Sequence, residues 1–261
     1  MTNDTLKGII IYEKSDAEKN DFFIRKLTEE MSDLGIYLEL KLRSEVDGSE
    51  TTDFVVNRSR DYKLSQLYEQ RSIRVFNNSI ITELGNDKSK AQQYFESKVS
   101  MMPLTDGYPA VVKTVDGHGG SEVFLVKSEA EEKEALANVT HSSNKHFIRQ
   151  EVATDLGVDK RVYVIGNKIV AAVLRTSDDF RSNFSLGGQA KLSEVTDQEQ
   201  KMIGSLLDGI YADYVGLDLI YNMGQPVFNE MEDAVGARML YNSSSVDIIK
   251  MFAEHIAKTM H

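Results

Sequence analysis

Residues 227–241 read VFNEMEDAVGARMLY: an apolar run that carries straight into Glu230, Glu232 and Asp233, with Gly236 and Arg238 close behind. Three carboxylates within four residues repel one another, and desolvating them is costly unless a cation joins them. The segment is either a solvated loop or a strand end that holds a metal ion. Glu230 and Glu232 are two apart and share one face of a strand, while Asp233 points the other way. Asp218 stands twelve residues before Glu230, between apolar neighbours in GLDLI, 216–220. Two strands with a tight turn between them would bring Asp218, Glu230 and Glu232 together as an oxygen cluster suited to a hard cation such as Mg²⁺. The alternative is a solvated strand face with Asp218 hydrogen-bonded locally.

Working outward, strand and helix signals alternate along the N-terminal part. Gly8–Tyr12 is a buried-strand candidate, and Ser15 with Glu18 has the spacing of a capping box. Phe23, Leu27, Met31 and Leu34 recur at helical spacing, with Gly35 closing the helix. Strand-like runs follow at 36–42, 54–56 and 73–76, with a helix marked by Leu64, Leu67 and Tyr68. Such alternation predicts a small parallel sheet covered by helices, ending near residue 85. Beyond it, 108–114 and 121–128 read as a hairpin around a glycine loop, and 147–152 as a further strand. Ser128 with Glu131 predicts one helix start and Thr196 with Glu199 another. Strands are expected at 161–165 and 168–175, joined by Gly166-Asn167, and at 215–221 and 226–231, with a last helix from about Val246.

The chain has 261 residues, enough for two lobes or one large α/β unit. Its net charge is −11, from 30 basic and 41 acidic residues, which argues against nucleic acid or an anionic membrane as partner. With no cysteine, disulfides, thiolate metal sites and cysteine nucleophiles are excluded. The N-terminus lacks a signal pattern and no segment is long enough for a membrane span, so a soluble, cytoplasmic protein is expected.

Two further constellations carry chemistry. Lys113 ends an apolar strand and precedes Gly117-His-Gly-Gly120 and Ser121. Glycines let backbone N–H groups approach phosphate oxygens, and a lysine adds a point charge. The spacing matches neither the dinucleotide fingerprint nor the Walker loop, and a plain hairpin turn is the competing reading. Arg175, Arg181 and Asn183, followed by Gly187-Gly188, offer forked donors for carboxylate or phosphate, or a flexible polar loop.

The order of these elements resembles that of the RimK-like ATP-grasp ligases over nearly the full chain. The most specific signals are the spacing of Asp218 and Glu230, and Phe180-Arg-Ser-Asn183 with the later Gly-Gly. In the N-terminal part, DFVVNRSRD and SIRVFNNS resemble the family's short strand-arginine element and the asparagine turn before the ATP domain. The resemblance implies an α/β (α+β) ATP-grasp fold: a pre-ATP-grasp lobe over 1–85, a small lobe with the glycine loop over 86–155, and a C-terminal lobe with the metal site over 156–261. It implies ATP as cofactor, held by Lys88, Lys113 and the loop of Gly117, Gly119, Gly120 and Ser121, with Gln150 and Glu151 at adenine and Asp159 near the nucleotide. Arg175, Arg181 and Asn183 are implied to bind phosphate or an acyl phosphate. Asp218, Glu230 and Glu232 are implied to hold Mg²⁺ or Mn²⁺. Arg58 is a candidate for binding a substrate carboxylate. Four positions depart from the family: Glu232 replaces an asparagine, Val235 a proline, Glu122 a small residue and Gly119 a longer one.

The implied activity is carboxylate–amine ligation through an acyl phosphate, acting on a small molecule, amino acid or peptide, in a homodimer or higher homo-oligomer. Two alternatives remain at this point: a kinase on the same scaffold, and a nucleotide-binding module whose site is disabled.

Overall fold

The computed structural model describes residues 5–118, 122–137, 139, 146–179 and 189–261. The expected parallel sheet is formed by β1 (Lys7–Tyr12), β2 (Tyr37–Leu42), β3 (Phe54–Asn57) and β4 (Arg74–Phe76), in the order β2-β1-β3-β4 with every pair parallel. The Ile-Ile-Ile-Tyr run of β1 is buried on both faces, as a central parallel strand requires. Its helices are α1 (Lys14–Lys19), α2 (Asp21–Asp33) and α3 (Tyr62–Gln70). Phe23, Ile24, Leu27 and Met31 are the buried stripe of α2. Ser15 lies inside α1 and caps nothing: Glu13 stands at that helix start without a side-chain cap. The capping-box spacing at Ser15 is thus a coincidence of a short helix that begins one residue earlier.

Two helices, α4 (Ser79–Asn86) and α5 (Lys88–Phe95), lead into a three-stranded antiparallel sheet of β5 (Ala110–Thr114), β6 (Val123–Val126) and β7 (Phe147–Gln150), in the order β6-β5-β7, with α6 (Glu129–Ala137) after β6. The last sheet is five-stranded and antiparallel, in the order β10-β9-β8-β11-β12, from β8 (Asp155–Ile165), β9 (Lys168–Thr176), β10 (Gln189–Leu192), β11 (Tyr214–Asn222) and β12 (Gln225–Glu232). Gly166 and Asn167 both take positive φ, 56° and 59°, the backbone of a two-residue hairpin turn. Helix α7 (Asp197–Leu207) starts on the Thr196–Glu199 capping box. α8 (Arg238–Ser243), which the sequence patterning did not reveal, precedes α9 (Ile248–Met260).

Alternation along β8 sends Val162 and Val164 into a core with α4, α5 and α7, and Tyr163 and Ile165 into another with α2 and α9. That second core also contains Ile10 and Phe54 of the parallel sheet, so the N-terminal and C-terminal parts share one apolar interior. Asn77, in the loop after β4, stitches them further. It accepts from the N–H groups of Asp213 and Tyr214 at 2.9 Å each and donates to the carbonyls of Tyr214 and Asp233. No described helix is long and apolar enough to cross a membrane.

Candidate active site

The face of the five-stranded sheet that carries Ile165, Tyr163, Val173 and Tyr214 into the core becomes charged farther along the same strands. By the two-residue period it continues through Arg161 and Asp159 on β8, Arg175 on β9 and Asp218 on β11. β12 adds Glu230, directly opposite Asp218, and Glu232, opposite Gly216. A register shift after Asp218 leaves Asn229 as the extra residue of a bulge between Phe228 and Glu230. Asp218, Glu230 and Glu232 each offer an oxygen, and these lie within 4.8 Å of one another.

Two arginines tie this cluster together. Arg161 donates to both oxygens of Asp218, at 2.7 and 2.6 Å, and reaches Glu232 at 2.7 Å. Arg175 donates to Asp218 at 2.7 Å and grips Asp159 with a fork. Burial works to raise the Asp218 carboxyl, but Arg161 and Arg175 outweigh it and hold it well below the usual range. At Glu232 desolvation prevails over Arg161, and with Asp218 and Glu230 beside it the carboxyl is pushed up. A carboxylate has about four lone-pair positions, and the arginines take three on Asp218, leaving room for one cation contact. All three donors are hard oxygens, the set that Mg²⁺ takes.

Lys113, at the end of β5, is 8% exposed and donates to Asn229 at 2.6 Å. Burial, with Lys88 nearby, lowers its pKa to about 8 against the pull of Glu230. Lys88, at the start of α5, bonds the Gly117 carbonyl and lies 3.8 Å from Glu230. Lys88, Lys113, Gly117, Gln150, Glu151, Asp159 and Glu230 all line one cleft between the three-stranded and five-stranded sheets. Within it Gln150 is buried, its amide turned to Gln92 and the Met102 carbonyl, while Glu151 is exposed at the rim. Gly117 has a packing reason as well: a Cβ there would sit 2.0 Å from the Thr114 hydroxyl. That hydroxyl donates to Glu122 at 2.6 Å. Glu122 is therefore buried beside the cleft and bonded, not turned out to solvent.

Gly119, Gly120, Ser121, Arg181 and Asn183 lie outside the described residues. Arg58 does not face a substrate. It is buried, donates to Tyr12 and to the Val235 carbonyl at 2.8 Å, and stacks 4.1 Å over Phe23. Val235 in turn packs against Gly216, where a Cβ would meet it at 2.7 Å, so an apolar residue fits in proline's place. Arg238 is exposed and donates to the Lys19 carbonyl at 3.2 Å. Sequence reasoning missed Asn229 and gave Arg161 no role. The only signal for Asn229 was a polar residue inside an apolar run.

The profile of the RimK-like ATP-grasp domain matches residues 61–256. The chain belongs to the RimK-like ATP-grasp family. Among its relatives, a probable alpha-L-glutamate ligase of Parasynechococcus marenigrum is 26% identical over 216 residues, covering 76% of this chain and 46% of the relative. An uncharacterized protein of Mycoplasma genitalium is 25% identical over 252 residues, 90% of this chain and 86% of that one. The chain thus spans about half of the first relative and most of the second. Among solved structures, D-cycloserine synthetase DcsG superposes with a TM-score of 0.73 at 16% identity, over 98% of this chain and all of that one. The ATP-grasp ligase PsnB complexed with minimal precursor, Mg and ADP gives 0.70 at 14% identity, over 100% and 99%. At these identities the structures speak for the fold: the ATP-grasp architecture expected from the motif order is the one the chain adopts.

Proposed function

We propose that this ATP-grasp protein joins a carboxylate to an amine at the expense of ATP, through an acyl phosphate. One observation carries the reading: a lysine pair and a three-carboxylate cluster converge on one cleft between two sheets. Support comes from family membership, from the glutamate-ligase name of a relative, and from a structural neighbour holding Mg and ADP. ATP lies in the cleft with its phosphates toward Lys88 and Lys113. The charge on both lysines holds the phosphates, and the base lies at the end of the cleft lined by Gln150 and Glu151. Asp218, Glu230 and Glu232 would hold Mg²⁺, which would supply charge neutralisation at the phosphates. Arg161 keeps two of these carboxylates in position, as a support behind metal ligands does.

In the reaction, a substrate carboxylate oxygen attacks the γ-phosphorus and ADP leaves. The amine then attacks the acyl carbon and phosphate leaves, giving the amide; the amine proton goes to solvent or phosphate. Arg175, Arg181 and Asn183 are proposed to steady the acyl phosphate. Positioning and electrostatics supply most of the rate in such a site. Glu232 in place of asparagine adds a third carboxylate to the cluster, which favours a divalent cation there. We assign the lobes to 1–85, 86–155 and 156–261, with the cleft between the last two.

The test is hydroxylamine trapping. Purified protein with Mg-ATP, hydroxylamine and a panel of carboxylic acids is expected to yield ADP and a hydroxamate from at least one acid. ATP turnover without hydroxamate would point to a hydroxyl acceptor and overturn the acyl-phosphate step.

A further inference from the structure

The parallel sheet ends on one side in β2, and that edge is bare. β2 runs beside β1 in unbroken register, from Tyr37 against Lys7 to Leu42 against Tyr12, and among the described residues no strand lies on its other side. In a parallel pair, alternate residues turn both backbone groups toward the neighbouring strand. The Tyr37 N–H donates to the Leu6 carbonyl at 2.9 Å, so Tyr37, Glu39 and Lys41 face β1. Leu38, Leu40 and Leu42 therefore hold their N–H and C=O groups outward. The Leu42 N–H is taken by the Glu45 carboxylate at 2.8 Å, and the other groups form a template for a further strand. Proteins commonly blunt such an edge with a proline, a bulge, a very short strand or an uncompensated charge. β2 is six residues long, has no proline and no bulge, and its Lys41 is balanced by Glu39 at 2.6 Å.

The side chains of β2 fit a second β2. Residues 38–42 read Leu-Glu-Leu-Lys-Leu. Laid antiparallel on another copy with Leu40 opposite Leu40, Leu38 meets Leu42 and Glu39 meets Lys41, in both directions. Glu39 and Lys41 already touch within each strand, so the four charges alternate in sign and no existing pair has to break. The backbone suits the same register. The outward-facing residues become the hydrogen-bonded pairs: Leu40 exchanges two bonds with its counterpart, and each Leu38 N–H meets a Leu42 carbonyl. A two-fold axis at Glu39 or at Lys41 would instead set like charges opposite one another. On the apolar face, Leu38 is buried in the core with α2 and α9 and Leu42 packs against it, whereas Leu40 between them is 39% exposed. Its counterpart across the axis would cover it. Tyr37 and Leu34, both exposed, extend the apolar rim at the start of the strand.

We infer that two copies of this chain join β2 to β2 about a two-fold axis at Leu40, so that their two parallel sheets become one continuous sheet. The interface is isologous: the same patch serves both copies and closes on itself, which limits the assembly at this edge to two. No residue of β2 lines the nucleotide cleft, so the inference stands apart from the ligase reading.

Sedimentation equilibrium of the full chain tests it. The parent is expected to sediment at twice the mass of the chain at micromolar concentrations. Glu39→Lys and Lys41→Glu each set like charges across the axis, and each is expected to weaken self-association at least tenfold while leaving affinity for an ATP analogue within twofold. Mixed in equal amounts, the two variants are expected to recover the dimer, because a strand with two lysines then faces one with two glutamates. Damage to the fold alone would not be rescued in this way. Should either variant lose its far-UV circular dichroism, Leu40→Lys carries the test: it brings two like charges together on the axis and is expected to weaken self-association at least tenfold. A monomeric parent, self-association unmoved in the folded variants, or a mixture no tighter than either variant alone would overturn the inference.

Discussion

At the scale of single residues, Lys113 and Glu230 make opposite demands on the site. Lys113 is an ammonium forced into a buried place, and its lowered pKa of about 8 records that cost. A phosphate bound beside it favours the charged form, so binding takes up a proton above that pH. Affinity for an ATP analogue is therefore expected to hold steady below pH 8 and fall above it, by up to about tenfold per unit. Calorimetry between pH 7 and 9.5 in buffers of different ionisation enthalpy measures it, and Lys113→Met should give a weak, flat profile. Glu230 faces Asp218 beside a bulge and is half-buried. Glu230→Gln is expected to fold as the parent does and to lose Mg-dependent ATP turnover by about a hundredfold or more. Unchanged turnover would remove Glu230 from the metal site. Both residues were legible in the sequence, because a charge at the end of an apolar run is conspicuous. Asn229, equally placed, was not, since an uncharged polar residue in a strand draws no attention.

At the scale of elements, β8 and β11 explain how so many charges are tolerated on one sheet. Arg161 on β8 neutralises Asp218 on β11 and Glu232 on β12, while Arg175 on β9 spans Asp218 and Asp159. Removing one partner of a buried pair leaves the other uncompensated. Arg161→Met is expected to destabilise the protein by about 3–5 kcal/mol. On the proposed reading Mg²⁺ offers replacement charge to the same carboxylates, so urea unfolding of R161M should recover part of that loss when Mg²⁺ is added, with a smaller Mg²⁺ effect on the parent. Equal Mg²⁺ effects on the two would show that Arg161 and the metal site are independent. The strands themselves were readable from alternation and turn residues, and the Gly-Asn turn and the Thr196 capping box formed where expected. The box at Ser15 did not, because four residues of local pattern cannot say whether a helix already runs through them.

At the scale of the whole molecule, the N-terminal sheet is not an appendage. Helix α9, the last element of the chain, packs on α2 near its beginning, and Phe252 sits beside Tyr214 with ring centroids 5.0 Å apart. Phe252→Ala is expected to cost about 3–5 kcal/mol, and near-UV and far-UV signals should still unfold together. A separate early transition would mean that the N-terminal part folds apart from the rest. The same joint brings α1 and Arg60 beside Glu232 and Asp233, so the cavity between them exists only because the first and last thirds of the chain meet.

The sequence by itself determined the ATP-grasp order of motifs, the parallel sheet, the hairpins and the spacing that sets Asp218 against Glu230. These depend on local periodicity and on residue pairs across a single turn. The tertiary structure alone decided what each charge is spent on. It put Arg58 into packing rather than onto a substrate, gave Arg161 the central place among the carboxylates, and left one oxygen of Asp233 buried without a hydrogen-bond partner. Such outcomes rest on contacts between residues as much as 177 positions apart, as between Arg58 and Val235, and no periodicity in the chain encodes them.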